Sequence, residues 1–130
     1  MKTKIAFFWL LVMNQLAFSQ SIVRGPYLQL RTQSSIQLRF NTNSWCNAKV
    51  KYGLSPNNLD FETPNTVGGL THVVDILSLI PKTKYYYAIY NGTVKMEGTD
   101  KNYFITTQPT GDTQKVKVWV TGDCGTSDHN

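Results

Sequence analysis

The stretch "LSLIPKTKYYYAIY", Leu77–Tyr90, decides how the whole chain is read. Leu79, Pro81, Thr83 and Tyr85 fall at alternate positions and lead into "TKYYYAIY", a run rich in the aromatic residues that favour strands. Pro81 and Thr83 stiffen the approach to the strand, and the Tyr85 hydroxyl is placed to reach back to an upstream backbone group. Downstream, Asn91-Gly92 predicts a hairpin, because both positions accept positive φ. A turn over Gly98–Lys101 then precedes a strand in "NYFITT". Upstream the period is also two. "YLQLRTQSSIQLRF" alternates Leu28 and Leu30, then Ile36, Leu38 and Phe40, which predicts two strands with one buried face each around a polar turn at Arg31–Ser35. "AKVKYG" puts Ala48, Val50 and Tyr52 on one face, and "LDFE" and "THVVDIL" complete the set. Outside residues 1–19 no ten-residue stretch carries a helical period. Seven short strands at turn spacings of about 8–12 residues predict an all-β sandwich of two antiparallel sheets.

The position of Tyr85 resembles the tyrosine corner of immunoglobulin-like sandwiches, and the pattern over about Gly25–Thr107 resembles fibronectin type III domains. Phe40 stands where such domains often carry Trp, and Trp45 is expected in a loop or at a sheet edge, packed on the sandwich.

The chain has 130 residues, room for about one domain of ~100–150 residues. Its start, "MKTKIAFFWLLVMNQLAFSQ", has two lysines, an apolar run from Ile5 to Met13 and small residues at Ala17 and Ser19. This is the layout of a signal peptide, residues 1–19, cleaved after Ser19. The run is shorter than the roughly 20 apolar residues of a membrane span, and no Cys stands at the cleavage point for a lipid anchor. The expectation is an exported protein, secreted or periplasmic, with no membrane span. Without Lys2 and Lys4, 11 basic residues stand against 8 acidic ones, or +3. That excess is small and scattered, which argues against a nucleic-acid partner. Cys46 and Cys124 could pair in an exported chain but are expected in different structural units, as two separate thiols.

After Thr107 the character changes. "QPTGDTQK" is linker chemistry, with the linker drawn at residues 108–114. In "VKVWVTGDCG", Val116, Val118 and Val120 alternate with Trp119 also apolar, which suits a strand covered on both faces. A completed sandwich has no slot for it, so residues 115–130 are expected to open a second, α/β unit. Asp123 follows that strand with Gly122 and Gly125 beside it. Ligands gather at such carboxyl ends, and a carboxylate is a hard oxygen donor for Mg, Mn, Zn or Fe, although Gly-Asp-x-Gly after a strand also serves simply as a turn.

The order of parts is a leader, a sandwich opening with "RGPYLQL", the "THVVDILSLIPKTKYYYAIY" block, and then "VWVTGDCGT". It resembles the N-terminal portion of the purple acid phosphatases, in which a fibronectin-like domain precedes a metallophosphoesterase domain. Asp123-Cys124-Gly125 is similar to the first metal-binding motif of that family, Asp-x-Gly. The resemblance implies that Asp123 ligates a dinuclear centre of Fe with Zn, Mn or a second Fe, and that the substrate is a phosphate monoester. The family's other ligands would lie beyond Asn130. One carboxylate cannot hold two metals, so residues 1–130 by themselves contain no complete catalytic set and are expected to be inactive. A secreted fibronectin-type binding or adhesion module is the alternative.

Gly-Asp-Cys-Gly also resembles the nucleophile loop of chymotrypsin-like cysteine proteases, which would need a base and an acid upstream. His72 and Asp75 lie three apart on one predicted strand and so point to opposite faces. His72 is read as structural, Cys124 as a packed thiol, and His129 is assigned no role. "NGT" at Asn91 matches a glycosylation acceptor but coincides with the hairpin turn.

Overall fold

The computed structural model describes residues 20–115. The proposed leader and everything from Val116 onward, including the expected second unit, lie outside the described residues. Among the described residues there is no helix, and the order is β1 (Ile22–Gln29), β2 (Ile36–Cys46), β3 (Ala48–Gly53), β4 (Phe61–Glu62), β5 (Gly69–Ile76), β6 (Lys84–Asn91), β7 (Val94–Glu97) and β8 (Tyr103–Ile105). One sheet runs β1-β2-β5 and the other β4-β3-β6-β7, with β8 also on β6; every pairing is antiparallel. β7 and β8 share one edge of β6 end to end. β8 takes Lys84–Tyr86 and β7 takes Ile89–Asn91.

Period-two patterning explains the core. Ile36, Leu38 and Phe40 of β2 point inward, as do Val74 and Ile76 of β5, Ala48 and Val50 of β3, and Tyr85, Tyr87 and Ile89 of β6, all buried. Phe104 of β8 joins them, its ring 5.6 Å from Tyr85 and 6.2 Å from Tyr87. Each fully buried large apolar side chain contributes about 1.5–3 kcal/mol. The Tyr85 hydroxyl accepts a hydrogen bond from the Ile80 amide at 3.1 Å, which satisfies a buried phenol and pins the β5–β6 crossing.

Three features differ from the sequence expectation. The first is β1, whose alternating face is not buried: Leu28 and Leu30 are 40% and 71% exposed. The pairing of β1 with β2 shifts register twice, but both shifts lie before Tyr27; Leu28 stands opposite the buried Leu38 on the same face and stays part-exposed at the edge of its sheet. Leu30 lies past the end of the strand at φ 48°. The second is the stretch after the Asn91-Gly92 turn, which forms β7, so the described strands number eight rather than seven. The third is β4, reduced from Leu59–Glu62 to Phe61–Glu62. Pro64 has no amide to donate, and the chain goes on along β3 through threonines instead. The Thr63 and Thr66 amides bond to the Val50 and Ala48 carbonyls, while their hydroxyls accept from the Val50 and Ala48 amides.

Candidate functional site

Asp123, Gly122, Gly125, Cys124 and His129 lie outside the described residues. Among the described residues no group of three or more His, Cys, Asp or Glu side chains comes together to hold a metal ion, and no helix is long and apolar enough to cross a membrane. Two regions carry chemistry of their own: a polar cluster in the interior, and the end of the sandwich from which the chain runs on toward Asp123.

The interior cluster centres on His72, which is 1% exposed. Its ring stacks on Phe40 at 4.8 Å. Nδ1 lies 2.9 Å from the Thr66 hydroxyl, and Nε2 lies 3.2 Å from the Thr42 hydroxyl and 3.7 Å from Cys46 Sγ. The Thr42 hydroxyl also donates to the Ser44 carbonyl at 2.9 Å. The Thr66 oxygen accepts from the Ala48 amide at 3.0 Å. Both ring nitrogens therefore have hydroxyl neighbours within hydrogen-bond reach. Burial pushes the His72 pKa below the ordinary 6.5, opposed in part by a hydrogen bond to the Gly69 backbone. The arrangement crosslinks β2, β5 and the β4–β5 loop, and no ring nitrogen is left for a ligand.

Asp75 sits on the opposite face of β5, where it accepts from Gln37 Nε2 at 2.9 Å, so the histidine–acid pair of the protease reading does not meet. Cys46 is a buried free thiol, and its notional partner Cys124 is outside the described residues. Asn91 Nδ2 donates to Gln20 Oε1, so the amide that would be glycosylated is engaged. Trp45 closes the end of β2 at 72% exposure, its indole against Gly68, where a Cβ would lie 2.3 Å from Nε1.

At the exit end the β1–β2 turn, the β5–β6 crossing and the end of β8 are knotted by backbone bonds: Leu79 amide to Ser34, Lys82 amide to Thr107, Thr107 amide to Thr32. Arg31 Nη1 donates to the Ile105 carbonyl at 3.3 Å. The segment after β8 is held too. The Thr110 amide bonds Gln33, and Lys82 reaches the Asp112 carboxylate at 3.7 Å and the Gln114 amide oxygen. A groove of about 500 Å³ opens here between Arg31, Lys82, Ile105, Pro109 and Lys115, and a second of about 330 Å³ shares Arg31 and Ile105 and adds Leu28 and Tyr103. Leu30, Ser78 and Lys82, the non-glycine residues with positive φ among the described residues, all lie at this end. Sequence reading missed this surface. Its one sequence signal, Leu28 and Leu30 in an alternating run, pointed to the core instead.

No protein-family profile and no curated protein matches this chain. Among solved structures, it is similar to the sensor domain of the anti-sigma factor RsgI4 of Pseudobacteroides cellulosolvens. The TM-score is 0.52 at 15% identity, over 76% of this chain and 98% of that one. At that identity the likeness concerns the fold alone, a sandwich of two antiparallel sheets.

Proposed function

We propose that this chain is the leading part of an exported, purple acid phosphatase-like metallophosphoesterase, in which a fibronectin type III-like sandwich precedes the segment that begins the catalytic unit. The observation that carries the reading is the sequence Val116–Gly125: an apolar strand signal ending in Gly-Asp-x-Gly, set behind a linker. The two antiparallel sheets and the Tyr85–Ile80 bond support the fibronectin-type half. The hard carboxylate of Asp123 fits an iron, zinc or manganese ion, and a metal pair bound there supplies electrophilic stabilisation of phosphoryl oxygens. In this chain Asp123 would hold the ion, with Gly122 and Gly125 leaving room for its approach. The sandwich, whose interior histidine is fully committed to hydroxyl groups, would serve as scaffold.

The decisive experiment expresses the protein together with whatever coding sequence follows Asn130. Asp123→Asn should lower metal content by mass spectrometry and phosphomonoester turnover by at least about 100-fold, with the sandwich melting unchanged. Undiminished turnover would remove Asp123 from the site.

A secreted binding module is the second reading. It is favoured by the likeness to a sensor domain over nearly all of that domain's length, although one fold hosts many functions. Full-length protein that binds no metal while keeping a folded sandwich would select it.

A further inference from the structure

We propose that β5 is the seam of a homodimer: its open edge pairs antiparallel with β5 of a second copy about Val73, and the two β1-β2-β5 sheets become one.

The sheet edges of the sandwich are built differently. β1 is broken by two register shifts and carries Arg24 and Pro26. β4 is two residues long. On the far side of that sheet β6 is flanked by the short β7 and β8, four and three residues, with Lys95 in the first. Bulges, proline, lysine and shortness are the devices that keep a sheet edge from pairing with another chain. β5 has none of them. Its eight residues, "GLTHVVDI", hold no proline, lysine or arginine, and they run in unbroken register with β2 from Thr71 to Ile76. The carboxylate of Asp75 is already held by Gln37 at 2.9 Å. Among the described residues Thr71–Ile76 make no backbone bond outside the ladder with β2. Alternate amides and carbonyls therefore point away from the sheet, as a template for a further strand. Leu70 and Val73 stand on this strand at 48% and 45% exposure.

Self-pairing suits this strand. His72, Val74 and Ile76 are buried while Thr71, Val73 and Asp75 face out, so a second β5 must meet it in a register that keeps the faces matched. Antiparallel pairing about His72 or about Val73 does so with the longest ladder. Centring on Val73 sets Thr71 opposite Asp75 of the second copy, hydroxyl to carboxylate, and lays Leu70 beside Ile76 of the second copy. Centring on His72 leaves Asp75 opposite Gly69, and centring on Asp75 would oppose two carboxylates. The contact about Val73 is isologous: one patch recognises itself. The seam is small beside a standard interface of roughly 800 Å² per partner, so the dimer should dissociate on dilution.

Sedimentation velocity of the full chain over a concentration series should show a monomer–dimer equilibrium. Val73→Lys sets two ammonium groups face to face beside Arg39 at an outward position. It should weaken association about tenfold or more while far-UV circular dichroism stays unchanged. Cysteine crosslinking reads the register and decides the matter if that variant unfolds. In a Cys124→Ser background, Val73→Cys should give a disulfide-linked dimer on mild oxidation, and Asp75→Cys should crosslink several-fold more slowly because it faces Thr71. A monomer at every concentration overturns the proposal, whatever then covers the edge. So does a dimer that a folded Val73→Lys variant leaves intact, or equal crosslinking at both positions.

Discussion

The interior around His72 and the exit end around Leu30 are built on opposite terms. In the interior each polar atom has a partner, and among the described residues no buried side-chain nitrogen or oxygen lacks one. Aromatic rings pack in sequence from Tyr52 through Tyr85 to Phe104. At the exit end, leucine and isoleucine side chains face water from a backbone that includes three left-handed non-glycine residues. The first region is arranged for the stability of the sandwich. The second leaves apolar side chains in water and holds Leu30, Ser78 and Lys82 in a backbone region that side chains other than glycine seldom adopt.

That contrast can be broken or sharpened by substitution. Phe40→Ala should have the largest effect. Removing a ring that is 1% exposed and stacked on His72 should cost about 3–5 kcal/mol, read as a large fall in the urea midpoint. A loss under about 1 kcal/mol would mean that the core is not centred there.

Acidity comes next. The folded state binds a proton at His72 less readily than the unfolded state, because burial disfavours the charged ring. Stability is therefore unaffected by His72 above about pH 6.5, falls as pH drops through that value, and levels off once the folded form is protonated as well. His72→Gln should flatten that limb of a stability–pH curve. An identical curve in the variant would remove His72 as its cause.

Tyr85→Phe should cost about 1 kcal/mol, since the Ile80 amide loses its acceptor, and the melting temperature should fall by several degrees. The smallest effect should have the opposite sign. Leu30→Gly relieves the left-handed backbone and should raise the stability of residues 20–115 by about 0.5–1 kcal/mol, measured by urea unfolding. A loss of similar size would show that Leu30 is part of the sandwich core and would erase the contrast between the two regions.

Much of the sandwich was legible before any coordinates, for identifiable reasons. Alternation in "IQLRF" and "AKVKYG" named the inward residues of two central strands, because a strand covered on one face must repeat every two residues. The Tyr85 reach was legible because it spans only five residues. β1 misled because its pattern is equally regular, while its place at a sheet edge is set by its pairing with β2, and Leu30 falls past its end. β7 was missed because four residues carry too little period to separate a strand from a turn. The partners of His72 were out of reach of any spacing argument, since Thr42 lies thirty residues away.

The sequence by itself determined the fold class, the rank of the buried faces and the one carboxylate, Asp123, on which the proposed chemistry rests, for these follow from residue type and from neighbours a few positions apart. Only the tertiary structure decided that His72 is a buried crosslink, that Leu28 and Leu30 are exposed, and that Arg31, Ile105 and Lys115 share one groove. Those outcomes are set by contacts between residues distant along the chain. Local periodicity carries no information about which edge strand slips its register or which strained turn is left uncovered.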